Sequence, residues 1–265
     1  MEATTRTGER QAKLWGQRSK DWAEVQEPQM RLLYDAVLDA IGVGSGMEHL
    51  DVGCGAGLAA AKAAERGARV AGLDATPEFL ELARERVPDG EFHQGEIEEL
   101  PFTDNRFDTV AGFNSFQFAG DPATAVREAA RVAKPGAPIA VVTWGRREQC
   151  EGAAVLGAYP SMLPPPPPGA EGPFALAEPG RLEGLVDEAG LEGGTAYDVE
   201  TVWSYPDLAT ALRGFNSAAP AAMAIAANGE EQVNEVITGA LAPFEQSDGS
   251  YRMVNVFRYL IAQAP

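Results

Sequence analysis

The chain has 265 residues, 45% hydrophobic and 23% charged, the balance of a folded globular protein rather than a disordered or fibrous one. Its 21 Lys and Arg face 39 Asp and Glu, and the formal charge of −18 repels phosphate backbones and anionic lipid, which speaks against a nucleic-acid or membrane partner. No apolar run approaches the roughly 20 residues that span a bilayer, MEATTRTGERQAK has no apolar signal core, and 2 Cys with 2 His make neither a disulfide framework nor a zinc site, so a cytoplasmic, metal-free protein is expected.

Trp15 and Trp22 lie in KLWGQRSKDWAEV, ahead of a predicted helix over 29–42. From 47 to 144, short apolar or β-branched runs alternate with helical patterns, the mark of successive βαβ units and a parallel sheet. The predicted strands are HLDV (49–52), ARVAGLD (68–74), EFHQ (91–94), FDTVAGF (107–113) and PIAVVTW (138–144). Helices are predicted over 58–67, 77–87 and 125–136, the last ended by Pro135 and Gly136. The run PPPPPG (164–169) reads as a stiff surface connection, because proline lacks an N–H and fixes φ. A helix over 181–191, a strand over 195–203, an Ala-rich helical stretch and a last strand over 252–263 follow. The two late strands are expected to pair as an antiparallel edge. The fold class is α/β: a Rossmann-like, doubly wound, mostly parallel seven-stranded sheet with an antiparallel edge strand and a helical lid insertion. Its expected units are N-terminal helices (1–46), a core (47–205 and 245–265) and the lid (206–244) between the last two strands.

Chemistry concentrates at Leu50-Asp51-Val52-Gly53-Cys54-Gly55-Ala56-Gly57, a strand-to-helix junction. Glycine lets the backbone turn sharply and approach a ligand, while the helix that follows offers free N–H groups. The spacing G-x-G-x-G differs from the dinucleotide fingerprint G-x-G-x-x-G, whose third glycine falls where Leu58 stands. Asp51 is suited to a cation or ammonium group. Asp74 ends the second strand, where an acid accepts both hydroxyls of a ribose. Glu96 and Ile97 follow the third strand and suit the edge and face of an adenine. Ribose, adenine and a cationic amino-acid tail together describe S-adenosylmethionine.

HLDVGCGAG (49–57), VAGLDATPEFLELAR (70–84), GEIEELPFTDNRFDTV (95–110) and REAARVAKPGAPIAVVTW (127–144) stand in the order and spacing of a known family. The chain resembles the class I S-adenosylmethionine-dependent methyltransferases, in particular the ubiquinone/menaquinone-biosynthesis-like (type 11) branch, whose members act on diverse small molecules. The resemblance implies that Gly53, Gly55 and Gly57, with Asp51 and Ala56, form the cofactor loop. It implies that Asp74 holds the ribose, with Ala75 beside it also touching the cofactor, that Glu96 and Ile97 flank the adenine, and that Phe113 and Asn114 border the methionine end. S-adenosyl-L-homocysteine would be the product. Many relatives carry Asp at the position of Glu96 and a histidine or tryptophan near Gln117 and Phe118, so the acceptor chemistry is where this chain departs.

Trp15, Trp22, Gln117, Phe118 and Trp144 are the candidate contacts to a small-molecule acceptor, and no residue is singled out as catalytic. His49 and His93 fall inside strands and are read as packed or surface residues, Cys54 as a small apolar filler, and Asp108 as a structural acceptor. The expected function is methyl transfer to O, N or C of a secondary metabolite or a quinone- or lipid-like compound by in-line displacement. Two alternatives stand beside it: a non-methylating (cyclase-like or regulatory) protein of the same fold that binds the cofactor, and an NAD-dependent oxidoreductase. Oligomeric state is not legible.

Overall fold

The computed structural model describes residues 6–165 and 172–265; of the proline run at 164–169, residues 166–169 lie outside the described residues. β1 (Glu48–Val52), β2 (Arg69–Asp74), β3 (Glu91–Gln94), β4 (Thr109–Phe113) and β5 (Pro138–Trp144) pair in parallel, as the alternating pattern predicts. The late strands β6 (Glu192–Tyr205) and β7 (Tyr251–Gln263) pair antiparallel, and β7 also runs antiparallel to β5. The sheet order is β3-β2-β1-β4-β5-β7-β6. Strand order reverses between β1 and β4, and at such a point the connections leave in opposite directions and open a crevice beyond the carboxyl ends of the strands.

Before β1 come α1 (Gly8–Trp15), α2 (Ser19–Asp21) and α3 (Arg31–Ala40). The crossovers are α4 (Leu58–Glu65), α5 (Pro77–Arg86) and α6 (Pro122–Val132); α7 (Gly152–Leu156) and α8 (Arg181–Glu188) follow β5; α9 (Leu208–Asn216), α10 (Ala219–Asn228) and α11 (Glu230–Leu241) lie between β6 and β7. α5 and α6 start on a proline, whose missing N–H costs nothing in the first turn. Asp121 caps α6 by accepting from the Thr124 amide at 3.1 Å, so the helix begins earlier than 125.

The other end of α6 also departs from expectation. It stops at Val132, ahead of Pro135 and Gly136, because the chain turns there to bridge Phe107: the Phe107 amide donates to Val132 O at 3.0 Å and the Lys134 amide to Phe107 O at 2.9 Å. Phe107 is spent on that bridge, and β4 starts at Thr109. Asp108 beside it accepts from the Glu48 amide at 2.9 Å and Lys134 Nζ at 2.6 Å, the structural role read for it.

Strand alternation decides which side chains face which layer. Leu50 and Val52 of β1, with Ile139 and Val141 of β5, pack with residues of α6 and α8. Ala140, Val142 and Trp144 point to the opposite face and join Leu33 and Val37 of α3, Ala60 and Ala63 of α4, and Phe215, Ala224 and Ile237 of α9–α11. The same alternation sends His49 and Asp51 to that second face, where both are buried. Among the described residues no helix is long and apolar enough to cross a membrane.

His49 is fully buried, its Nδ1 2.8 Å from Thr109 Oγ1, and burial pushes its pKa down to about 4. An imidazole held neutral in the fold but free to protonate in the unfolded chain contributes stability that is complete above about pH 6.5 and lost as pH falls towards 4. Thermal melts between pH 7 and 4 should therefore show a shallower loss in His49→Gln than in the parent chain. Equal slopes would place the acid sensitivity elsewhere.

Candidate active site

The loop after β1 is held from β2. The amides of Gly53 and Cys54 both donate to Leu73 O, at 2.7 and 3.0 Å. Asp74, at the end of β2, then accepts from the Gly55 amide at 2.9 Å and the Thr76 amide at 2.8 Å, so one carboxylate fixes both the loop and the start of α5. Burial raises its pKa against the pull of these donors. The N-cap position of α5 belongs to Thr76, not to Asp74.

The three glycines do different work. All have positive φ (74°, 53° and 83° at Gly53, Gly55 and Gly57), but a Cβ on Gly53 would stand 2.4 Å from Ser115 Cβ and one on Gly57 2.8 Å from Ala83 Cα. Those two let β4 and α5 approach. At Gly55 the nearest atoms to such a Cβ are Glu27 Oε1 at 3.7 Å and Trp22 Nε1 at 3.9 Å, so of the three only this glycine has room for a Cβ at ordinary contact distance.

Around the loop lies a group of buried polar atoms without hydrogen-bond partners among the described residues. Both carboxylate oxygens of Asp51 belong to it, with Asn114 Oδ1, Ser115 Oγ and Gln117 Nε2. Asp51 is 1% exposed, and burial, then the charges of Glu27 and Asp74, push its pKa up to about 8; the Ala60 amide pulls weakly the other way from beyond hydrogen-bond geometry. Asn114 has a φ of 52° and ties its amide to Val142 O at 2.9 Å. Gln117 is anchored through Oε1, which accepts from Thr143 Oγ1 at 3.0 Å. Phe113 meets Tyr34 of α3 edge-on, ring centroids 4.9 Å apart. Burial and the charges of Glu27 and Asp51 raise the Tyr34 pKa well above its ordinary range.

The N-terminal segment closes one side. The Gly8 amide, at the start of α1, donates to both oxygens of Glu96 (3.2 and 3.0 Å), and Thr7 Oγ1 donates to Phe118 O at 2.7 Å. Trp15 lies edge-on to Trp22 at 4.9 Å and to Phe118 at 6.0 Å, and both indoles pack with Phe79 and Ala56. A cavity of about 430 Å³, within the range of small-molecule sites, lies between α1 and the sheet, lined by Gly8, Ala12, Ala75, Gln94, Gly95 and Glu96. Ile97 packs on the α6 side of the core. Trp144 is not brought to the loop: it is buried against Phe257, Phe174 and Trp203, at centroid distances of 4.6, 5.2 and 5.4 Å.

Residues 50–141 match the family profile described as a methyltransferase domain. Over these residues the chain is a methyltransferase domain. An uncharacterized protein of Mycobacterium tuberculosis is 34% identical over 160 residues, covering 57% of this chain and 57% of that protein. A ubiquinone biosynthesis O-methyltransferase of Alkalilimnicola ehrlichii is 38% identical over 132 residues, 48% of this chain and 53% of that enzyme. The chain thus spans little more than half the length of these curated relatives. The solved structure of a SAM-dependent methyltransferase from Aquifex aeolicus superposes with a TM-score of 0.53 at 24% identity, covering 69% of this chain and 92% of that one, a likeness of fold.

The geometry adds residues to this methyltransferase domain's crevice that the pattern of the sequence did not single out. Glu27, 2% exposed, pairs with Arg86 and accepts from the Leu58 amide at 3.3 Å, which caps α4 from a distant segment. Arg86 also donates to Ala56 O at 2.9 Å and Ala23 O at 2.7 Å. In the sequence Arg86 is one more basic residue in a last helical turn and Glu27 one more acid before a proline, and no local signal sets either apart.

Alanine substitution separates the glycines. Gly53→Ala and Gly57→Ala combine a strained φ with overpacking and should each lower stability by about 2–4 kcal/mol, whereas Gly55→Ala carries the φ term alone, about 1–2 kcal/mol. Melting curves ranking Gly55→Ala as the most destabilised of the three would contradict the looser packing assigned to it.

Proposed function

We infer that the chain transfers a methyl group from S-adenosylmethionine to a small molecule, and that its acceptor is a phenolic or quinol-type ring. The buried, unpartnered carboxylate of Asp51 carries the reading. An acid with neither oxygen bonded suits an ammonium group, and the amino-acid tail of the cofactor has one. Asp74 fits the ribose hydroxyls with lone pairs left over from its two amide bonds. The cavity beside Ala75, Gln94 and Glu96 fits the adenine, with α1 seated on Glu96 as its cover.

When bound, the cofactor supplies a methyl group already activated on a sulfonium. The protein's task is to orient and to exclude water. A methyl group held there would bond to the acceptor's lone pair as its bond to sulfur breaks, and an acceptor that has already lost its proton to solvent before the site closes would need no base in the crevice. Phe118 and Trp15 offer an apolar wall for an aromatic ring, and Asn114 and Gln117 offer amide atoms for its oxygens. α9–α11, between the last two strands, and the N-terminal segment are the elements suited to close over the ligands. His49 is sealed in the core and His93 is bonded to Glu91 on the surface, so neither is placed as a general base. An acceptor that ionises readily is what such a site serves, and phenols and quinols do so. The ubiquinone-pathway relative supports the same acceptor class.

Incubation with S-adenosylmethionine and a panel of catechols and quinols, followed by mass spectrometry, should give products heavier by one methyl group together with S-adenosylhomocysteine. Unchanged acceptors throughout the panel would overturn the assignment of acceptor. For the cofactor, Asp51→Asn should weaken S-adenosylhomocysteine binding at least about tenfold by calorimetry, through loss of a charge-assisted bond. The same variant should be more stable than the parent. A carboxyl whose pKa is near 8 in the fold and 3.8 outside it removes stability progressively as pH rises between those values, so the gain should be least near pH 4 and greatest above pH 8.

A further inference from the structure

The acids around the glycine loop differ in what supports their charge. Asp74 accepts from the amides of Gly55 and Thr76, and Glu27 is paired with Arg86 and accepts from the Leu58 amide. Asp51 is 1% exposed, and among the described residues neither of its oxygens has a partner. Its backbone is locked on both sides, in register with Gly72 of β2 and Ala111 of β4. A residue in the middle of a paired strand has its side chain fixed to one face, so this carboxyl cannot swing out to water.

The groups whose charge bears on Asp51 make matters worse. Glu27 of the N-terminal segment and Asp74 of β2 are acids, while the Tyr34 phenol of α3 and the Cys54 thiol of the loop are kept neutral by burial. His49, two positions back on the same strand, is uncharged for the same reason. Arg86 of α5 is committed to Glu27 and to the carbonyls of Ala56 and Ala23, and the first-turn amide of Ala60 in α4 opposes the acids only weakly. A lone buried carboxylate is so costly that such a group sheds its charge by holding a proton. Burial, then the charges of Glu27 and Asp74, accordingly push its pKa up to about 8.

We propose that the ligand-free protein holds Asp51 as the neutral acid, and that the ammonium of the cofactor's amino-acid tail takes the place of its proton, so that binding releases one proton to solvent. This rests on the methyl-transfer reading above, in which the tail brings that ammonium to Asp51. The O–H bond of the carboxyl breaks, its electron pair stays on oxygen, and the ammonium keeps its own protons and donates one of them to the new carboxylate. Asp51 is charged only when it is occupied. Affinity then rises about tenfold for each pH unit below the Asp51 pKa and levels off above it, because one proton must leave for each ligand that enters. Glu27 and Asp74 stay outside the exchange, since their charges already have donors in the protein.

Calorimetry with S-adenosylhomocysteine counts the proton. Titrations of the parent chain at about pH 6.5, in phosphate and in imidazole buffer, differ in heat by the protons released times the difference in buffer ionisation heat, and the count should be close to one. The affinity should rise about tenfold from pH 6 to 7. Binding with no proton released overturns the proposal without any variant. Asp51→Asn, which has no proton to give, should release less than about a fifth of one, and a folded variant that still releases a whole proton overturns the proposal by moving the exchange to another acid. A second probe keeps the test decisive if that variant does not fold: 5′-methylthioadenosine has the adenosine but no amino-acid tail, and should bind the parent chain without release. Release equal to that with S-adenosylhomocysteine overturns the role given to the ammonium. A parent chain that binds neither probe overturns the methyl-transfer reading itself, an outcome distinct from the others.

Discussion

One guanidinium joins the parts of the site. Arg86, in the last turn of α5, donates to the Glu27 carboxylate, to Ala56 O in the glycine loop and to Ala23 O in the N-terminal segment. Arginine spreads its donors over a rigid planar fork, so two nitrogens of one side chain reach acceptors on three segments, whereas the three donors of a lysine ammonium all sit on one atom. Through that contact the segment ahead of the sheet acquires a defined seat on the loop, and Trp15 and Trp22 follow, packed on Phe79 from the same helix as Arg86. The segment ahead of the sheet is therefore joined to the glycine loop rather than being an independent flap.

The crevice also concentrates unfavourable electrostatics. Glu27, Asp51 and Asp74 all have raised pKa values, and burial is the first cause in each case. A fold selected for stability alone would place an amide or an apolar side chain at Asp51, where neither oxygen is bonded. Local rules broken in this way mark functional sites, because the ligand supplies the missing partner. The contrast with Asp108 is instructive: an acid of the same type, bonded to Lys134 and to an amide, has its pKa lowered by that lysine and does nothing beyond holding β4 to its neighbours.

Much of this architecture was legible in advance. The five parallel strands and their crossovers follow from hydrophobic period and turn residues, which act over a few positions. Asp51, Gly55 and Asp74 were legible for a related reason: a strand-to-helix turn and the end of the adjacent strand are brought together by the βαβ unit itself. What escaped were contacts between distant segments. The end of α6 depends on Phe107 reaching back to Val132, and no residue near Pro135 announces it. Trp144, at a strand's carboxyl end, has the address of a ligand contact, but three aromatic rings from β6, β7 and the segment after α7 surround it.

The sequence by itself determined the order of strands and helices, the place of the glycine loop and the acids that flank it, since each depends on backbone preferences and on alternation within one element. Only the tertiary structure decided which of the three glycines has room for a side chain, that α1 is seated on Glu96, and that Glu27 and Arg86 meet at the glycine loop. The physical reason is separation: the Gly8–Glu96 contact joins residues 88 positions apart and the Glu27–Arg86 pair residues 59 apart. Such partners are chosen by how layers pack against the sheet, and a buried charge acquires its meaning only from the groups that packing places around it.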